Sequence, residues 1–184
     1  MEVIRETTDF HIERPTAVCI GKFDGVHMGH KKLIEKVVAQ KSAGLTPTVF
    51  TFDPPPEELF SGVHSNLLCT RLQKQELLEE LGIELIIEYP LTMTTASVDP
   101  VEFVEQILVE RLHMRYIAAG PDLSFGRGGE GDRTLIEALA ARLGYKVEII
   151  DKVGFEGADI SSSRIRDAID RGELSRAERM LGRI

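Results

Sequence analysis

Gly21-Lys22-Phe23-Asp24-Gly25-Val26-His27-Met28-Gly29-His30 joins two stretches of different periodicity. Before it, Ala17-Val18-Cys19-Ile20 is a continuous apolar run, the pattern of a strand buried on both faces. After it, Lys31 to Gln40 sets Leu33, Ile34, Val37 and Val38 on one helical stripe, with Gly44 as a stop. The ten residues therefore read as a strand-to-helix turn bent at glycines. In an open parallel sheet, such turns at the carboxyl ends of strands are where ligands bind. Gly21, Gly25 and Gly29 allow close backbone approach, and a helix opening near Gly29 directs free N–H groups and a positive dipole end at the ligand. His27 and His30 stand one helical turn apart at that end, where two imidazoles suit phosphate oxygens gaining charge in a transition state. Metal chelation and a purely structural pair are the competing readings. Cys19 lies in the strand and Cys69 far along the chain, so no further metal ligand is evident and no metal site is assigned.

Composition narrows the classes. A chain of 184 residues with 42% hydrophobic content reads as one domain, or one with a small appendage, with its own core, and is not disordered. A net charge of -8 argues against a nucleic-acid binder, so an anionic substrate must be met by a local site. Two cysteines make no disulfide framework and fit a reducing compartment. Met1 to Arg14 lacks the apolar core of a signal peptide, and no stretch reaches membrane-spanning length. A cytoplasmic protein without a membrane partner is expected.

Further along, Pro47 to Phe52 reads as a second strand, ended by Asp53-Pro54-Pro55-Pro56. Glu57 to Ser65 reads as irregular. Thr70 and Gln73 form a capping pattern for a helix through Leu81, with Leu72, Leu77, Leu78 and Leu81 inward and Gly82 as its stop. Leu85 to Glu88 is a third strand. Asp99 caps and Pro100 opens a helix to about Leu112 through Phe103, Ile107 and Leu108. Tyr116 to Ala119 is a fourth strand emptying into a glycine-rich passage, Gly120 to Asp132. Arg133 to Leu143 is helical on Leu135, Leu139 and Leu143, and Val147 to Ile150 is a fifth strand. Gly154 and Gly157 mark a turn, followed by helices from Ser161 to Ile169 and from Leu174 to Leu181. Strands alternating with helices predict an α/β fold: an open parallel sheet of about five strands covered on both faces.

Ile160-Ser161-Ser162-Ser163-Arg164-Ile165-Arg166 is the second informative stretch. Consecutive hydroxyls at a helix start cap it and can donate to an anion, and Arg166 one turn in can add a charged fork. An ordinary serine cap with solvent-facing arginines is the plain alternative.

Both stretches resemble a known family. His27-Met28-Gly29-His30 is similar to the His-x-Gly-His signature of the nucleotidylyltransferase superfamily. With Gly21, Phe23, Asp24 and Gly25 in front, it resembles the FMN adenylyltransferase module of bacterial FAD synthetases. Ile160 to Arg166 resembles the same superfamily's Ile-Ser-Ser-Thr/Ser-x-x-Arg motif, in which the hydroxyls and last arginine hold the nucleotide triphosphate. Gly120-Pro121-Asp122-Leu123-Ser124-Phe125-Gly126 resembles a family segment that implies Asp122 near the nucleotide and Phe125 near the flavin, with Leu123 replacing a usual phenylalanine. Phe50 to Pro56 resembles a segment whose usual histidine is here Pro55, and Phe60 and Phe103 are weaker candidates for a flavin wall.

The resemblance implies a Rossmann-like fold and the reaction of ATP with FMN to give FAD and pyrophosphate, with Mg²⁺ travelling with ATP. His27, His30 and Arg166 would be catalytic; Gly21, Phe23, Asp24, Gly25, Gly29, Asp122, Ser161, Ser162 and Ser163 would hold nucleotide. It covers nearly the whole chain, so residues 1–184 read as one such domain, with none left for the riboflavin kinase module that follows it in many relatives. A nucleotidylyltransferase with another phosphorylated acceptor, or a flavin carrier without turnover, is the alternative.

Overall fold

Apolar runs and helical stripes alternate along the chain, and the computed structural model, which describes residues 1–62 and 66–183, turns that alternation into crossover units. The elements run β1 (Glu2–Arg5), β2 (Thr16–Ile20), α1 (Met28–Ala39), β3 (Thr46–Asp53), α2 (Pro56–Ser61), α3 (Arg71–Glu80), β4 (Leu85–Pro90) and α4 (Pro100–Glu102), which continues as a π-helical stretch Phe103–Arg111. They go on with β5 (Met114–Ala119), β6 (Ser124–Phe125), β7 (Gly131–Asp132), α5 (Arg133–Leu143), β8 (Lys146–Ile149), β9 (Gly154–Phe155), β10 (Ala158–Asp159), α6 (Ser162–Asp170) and α7 (Leu174–Leu181).

The main sheet has six strands in the order β1-β4-β3-β2-β5-β8, all paired in parallel. From β2 the chain winds outward through β3 to β4, and β5 then returns to the other side of β2. The order therefore reverses between β2 and β5, and a crevice opens at their carboxyl ends. Alternation of side chains explains why β2 is buried throughout. Val18 and Ile20 join Phe50, Leu85, Ile87, Phe103, Leu108 and Ile136 in one core layer. Ala17 and Cys19 join Val49, Ile86, Ile34, Val37 and Leu78 in the other. A smaller cluster of Ile160, Ile165, Ala168, Ala177 and Met180 fastens α6 to α7.

The parallel α/β architecture matches the sequence reading, with six strands in place of about five. Three corrections are local. β1 is a strand that Glu2-Val-Ile-Arg does not announce; it takes its place by pairing along β4, Glu2 opposite Leu85. The passage after Asp53 is not irregular from Glu57, because Pro56 opens α2, where its missing N–H costs nothing; residues 63–65 of that passage lie outside the described residues. Leu72, expected inward, is 64% exposed at the start of α3, while Leu78 is fully buried. The turn expected at Gly154 and Gly157 is present as the β9–β10 hairpin. The capping pattern on α3 is formed: Gln73 N–H donates to Thr70 Oγ1 at 3.2 Å and Thr70 N–H to Gln73 Oε1 at 2.9 Å. Among the described residues no helix is long and apolar enough to cross a membrane.

Candidate active site

The turn after β2 is tight because three residues in succession of four take positive φ: Phe23 at 54°, Gly25 at 75° and Val26 at 39°. A Cβ on Gly25 would meet Leu68 Cδ1 at 2.8 Å, so this position needs glycine for both its backbone and its space. Asp24 braces the coil. Its Oδ1 accepts Leu68 N–H at 2.8 Å, its Oδ2 accepts Arg166 Nη1 at 2.8 Å, and its carbonyl accepts Ser162 Oγ at 3.0 Å. Cys69 Sγ accepts Gly25 N–H at 3.3 Å. Through Asp24 the two motifs, 138 residues apart, become one structure.

His27 is the N-cap of α1, and its Nδ1 accepts His30 N–H at 3.4 Å. That bond places the imidazole proton on Nε2, where it can be given to a ligand. The His27 and His30 rings stack with centroids 3.6 Å apart and 15° between planes, and Phe23 lies under His30 at 5.0 Å. Gly29 leaves room for the stack: a Cβ there would sit 3.1 Å from His27 Cε1. Burial lowers the His27 pKa from 6.5 to about 4, with the nearby Arg183 acting in the same sense. His30 is lowered as well, first by burial and then by His27 and Lys74. Without a bound anion both rings are therefore neutral N–H donors at neutral pH.

These groups open on a cavity of about 890 Å³ at the crevice between β2 and β5. Gly21, Asp24, His27, Gly29, His30, Asp122, Ser161, Ser162, Ser163 and Arg166 all line it, so both sequence motifs converge there. Ser161 caps α6 by accepting Arg164 N–H at 3.3 Å, and Arg166 Nη2 donates to Ser163 Oγ at 3.3 Å. Arg164, by contrast, donates to the carbonyls of Ala158, Asp159 and Phe155 and holds the hairpin. Asp122 pairs with Lys152 at 2.9 Å. Phe23 and Gly25 do not line the cavity; both are buried within the turn.

The aromatic candidates for a flavin wall are not on the cavity surface. Phe125 is 3% exposed and packs on Phe103 at 5.7 Å inside the core, because alternation in β6 turns Ser124 outward and Phe125 in. Phe103 is likewise core, and Phe60 is 62% exposed on α2, away from the cavity lining. The apolar lining includes instead Phe52, Pro55, Pro56, Leu67 and Leu123, with Ile20, Leu33, Ile150, Val153 and Ile160. Sequence reasoning also missed Lys22, Arg71, Lys74 and Lys152, which bring positive charge to the cavity of an acidic protein, and Glu88. A charge inside the apolar strand Leu85–Pro90 was the available signal for Glu88. No group of three or more His, Cys, Asp or Glu among the described residues is placed to hold a metal, and Asp24 is already engaged on both oxygens.

Comparisons with known proteins agree with this geometry. The chain is 35% identical over 181 residues to a bifunctional riboflavin kinase/FMN adenylyltransferase of Listeria monocytogenes, covering 96% of this chain and 56% of that one. A second such bifunctional protein, from Escherichia coli, is 32% identical over 165 residues, 89% and 53% of the two chains. Thus the chain spans about half the length of these relatives. An FAD synthetase of Listeria monocytogenes is 30% identical over 171 residues, 92% of this chain and 69% of that one. Among solved structures, a chain described as a macrolide-efflux protein from Streptococcus pneumoniae superposes with a TM-score of 0.85 at 26% identity, over 99% of this chain and 61% of that one. A pantoate-beta-alanine ligase from Francisella tularensis shares the fold, with a TM-score of 0.57 at 14% identity over 90% and 70% of the chains. The family model described as FAD synthetase matches residues 9–164, and the chain belongs to that family.

Proposed function

We propose that this chain is an FMN adenylyltransferase, transferring AMP from ATP to FMN to give FAD and pyrophosphate. The observation that carries the reading is the convergence of two helix N-termini on one cavity: α1 with the stacked His27 and His30, and α6 with Ser161, Ser162, Ser163 and Arg166. Two such termini suit a ligand pair bearing several phosphates. The attacking group, a phosphate monoester, has a second pKa of about 6 and is largely deprotonated at neutral pH. No general base and no covalent enzyme nucleophile are needed. A phosphate oxygen of FMN forms a bond to the α-phosphorus of ATP, the bond from that phosphorus to the bridging β-oxygen breaks, and the electron pair leaves with pyrophosphate. The protein's task is to hold two polyanions in line and offset the charge that develops. His27 and His30 supply neutral N–H donors, α1 its free amides, and Arg166 a cation once it turns from Asp24. The names of the relatives support the same substrates. Incubating the purified chain with Mg-ATP and FMN, and following FAD and pyrophosphate by chromatography, tests the reading. Equimolar appearance of both is expected, and turnover of another phosphorylated acceptor with none of FMN would overturn it.

A further inference from the structure

Among the described residues, three buried side-chain atoms lack a hydrogen-bond partner: His30 Nδ1, Glu88 Oε2 and Arg176 Nε. Arg176 Nε is paired with Glu156 at 2.9 Å and lies away from the large cavity. The other two both line that cavity, and only Glu88 belongs to no motif. Its side chain is 2% exposed, on β4 beside Thr51 of β3. Oε1 accepts Gln75 Nε2 at 3.2 Å. Oε2 stands 3.5 Å from Arg71 Nε, and Arg71 is also drawn to Asp53. A buried carboxylate is costly unless its oxygens are met by donors, and the neighbouring Leu85, Ile86 and Ile87 fill the same strand without that cost. Glu88 thus lines the cavity while one of its carboxylate oxygens is buried without a hydrogen bond, its cation neighbour Arg71 Nε standing 3.5 Å away.

Its position says which substrate would use it. In the sheet, β4 lies two strands from β2 on one side, whereas β5, β8 and the approach to α6 lie on the other. With the triphosphate assigned to α6, the β3–β4 side of the cavity is left for the acceptor. We propose that Glu88 is an acceptor-binding residue whose Oε2 takes a hydrogen bond from a neutral N–H or O–H group of the flavin, flanked and oriented by Arg71. The inference rests on the FMN reading above. FMN offers two such donors, the ring imide N3–H and the ribityl hydroxyls.

Glu88→Gln is the informative variant. Its amide oxygen would keep the bond from Gln75, which turns the NH₂ group toward the cavity and replaces an acceptor by a donor. Titrations of FMN, read by quenching of flavin fluorescence, should show Kd raised about tenfold, as for loss of a hydrogen bond to a charged group, with KM for ATP changed less than about twofold. Unchanged FMN binding, or equal weakening of both substrates, would overturn the proposal. Substrate analogues give an arm that needs no variant. Either 3-methyl-FMN, which lacks the imide N–H, or a ribityl-deoxy FMN should bind the unaltered protein about tenfold more weakly, and add nothing further to the loss in Glu88→Gln. If Glu88→Gln fails to fold by circular dichroism, these analogues decide alone, and no loss with either one overturns the proposal. Binding is separable from turnover: protein that binds FMN but makes no FAD refutes the catalytic reading and leaves the Glu88 comparison intact. Protein that does not bind FMN refutes both.

Discussion

His30 is held by its stack on His27 and by Phe23 beneath it, so its ring is a preorganised donor at the mouth of α1. Replacing it by alanine should lower FAD formation by ~10²-fold or more, the loss seen when a transition-state donor is removed. Circular dichroism should remain that of the parent; turnover like the parent's would remove His30 from the mechanism. Arg166→Ala should raise KM for ATP more than KM for FMN, because the arginine shares α6 with Ser161–Ser163; equal losses would contradict that assignment. His27 carries a pH signature too. Its pKa is about 4 when folded against the ordinary 6.5, so the unfolded chain binds the extra proton between those values. Stability from this group is complete above pH 6.5 and is lost progressively as pH falls toward 4, with a slope of at most about 1.4 kcal/mol per pH unit. Urea denaturation across that window should be flatter for His27→Gln than for the parent, and parallel curves would show that His27 is not the linked group. Residues of the two motifs were legible in advance because each motif is contiguous and sits where a helix begins. Arg71 and Glu88 were not, since only the fold brings them to the cavity from separate segments, and Phe52 and Leu123 fell in segments the resemblance picked out without being read as its lining.

Short elements explain where the reading from sequence stopped. β1 has four residues, too few to show a period, and α2 begins at a proline that was read as a breaker but occupies the first helical turn. Strand order was not legible either: apolar runs define strands, whereas their sequence across the sheet is settled by which helices cover which face. Long amphipathic pieces such as α1, α3 and α5 were found because their apolar spacing repeats over several turns. The turn between β2 and α1 offers a test of how an element is enforced. Gly25 and Gly44 have nearly the same φ, 75° and 78°, but a Cβ on Gly44 would meet nothing within 4 Å while one on Gly25 would strike Leu68. Gly44→Ala should cost about 1 kcal/mol of stability, the left-handed penalty alone. Gly25→Ala should cost about 1–3 kcal/mol more, as contacts around the turn give way, and should depress FAD formation because His27 follows two residues later. Equal Tm values for the two variants would show that Leu68 yields without cost.

The described residues form one six-stranded sheet, with a cavity of about 890 Å³ at the crevice between β2 and β5. A second cavity beside Arg164, Asp167 and Arg176 has only about 100 Å³, well below the ~300–1,000 Å³ usual for small-molecule sites. Bifunctional relatives are named for a riboflavin kinase activity as well as FMN adenylyltransferase activity. Kinase chemistry moves a γ-phosphoryl group to a primary hydroxyl and requires its own ATP position and a base near that hydroxyl. In the cavity His27 and His30 are buried neutral donors whose low pKa makes them weak bases, and Asp24 is committed to Arg166 and Leu68. The purified 184-residue polypeptide should therefore convert FMN to FAD and leave riboflavin unphosphorylated. Supplying riboflavin with Mg-ATP and separating the flavins by chromatography checks this directly. FMN or FAD accumulating above an enzyme-free control would mean that a second phosphoryl-transfer site exists within these residues, and that the cavity at the β2–β5 crevice does not account for all of the chain's chemistry.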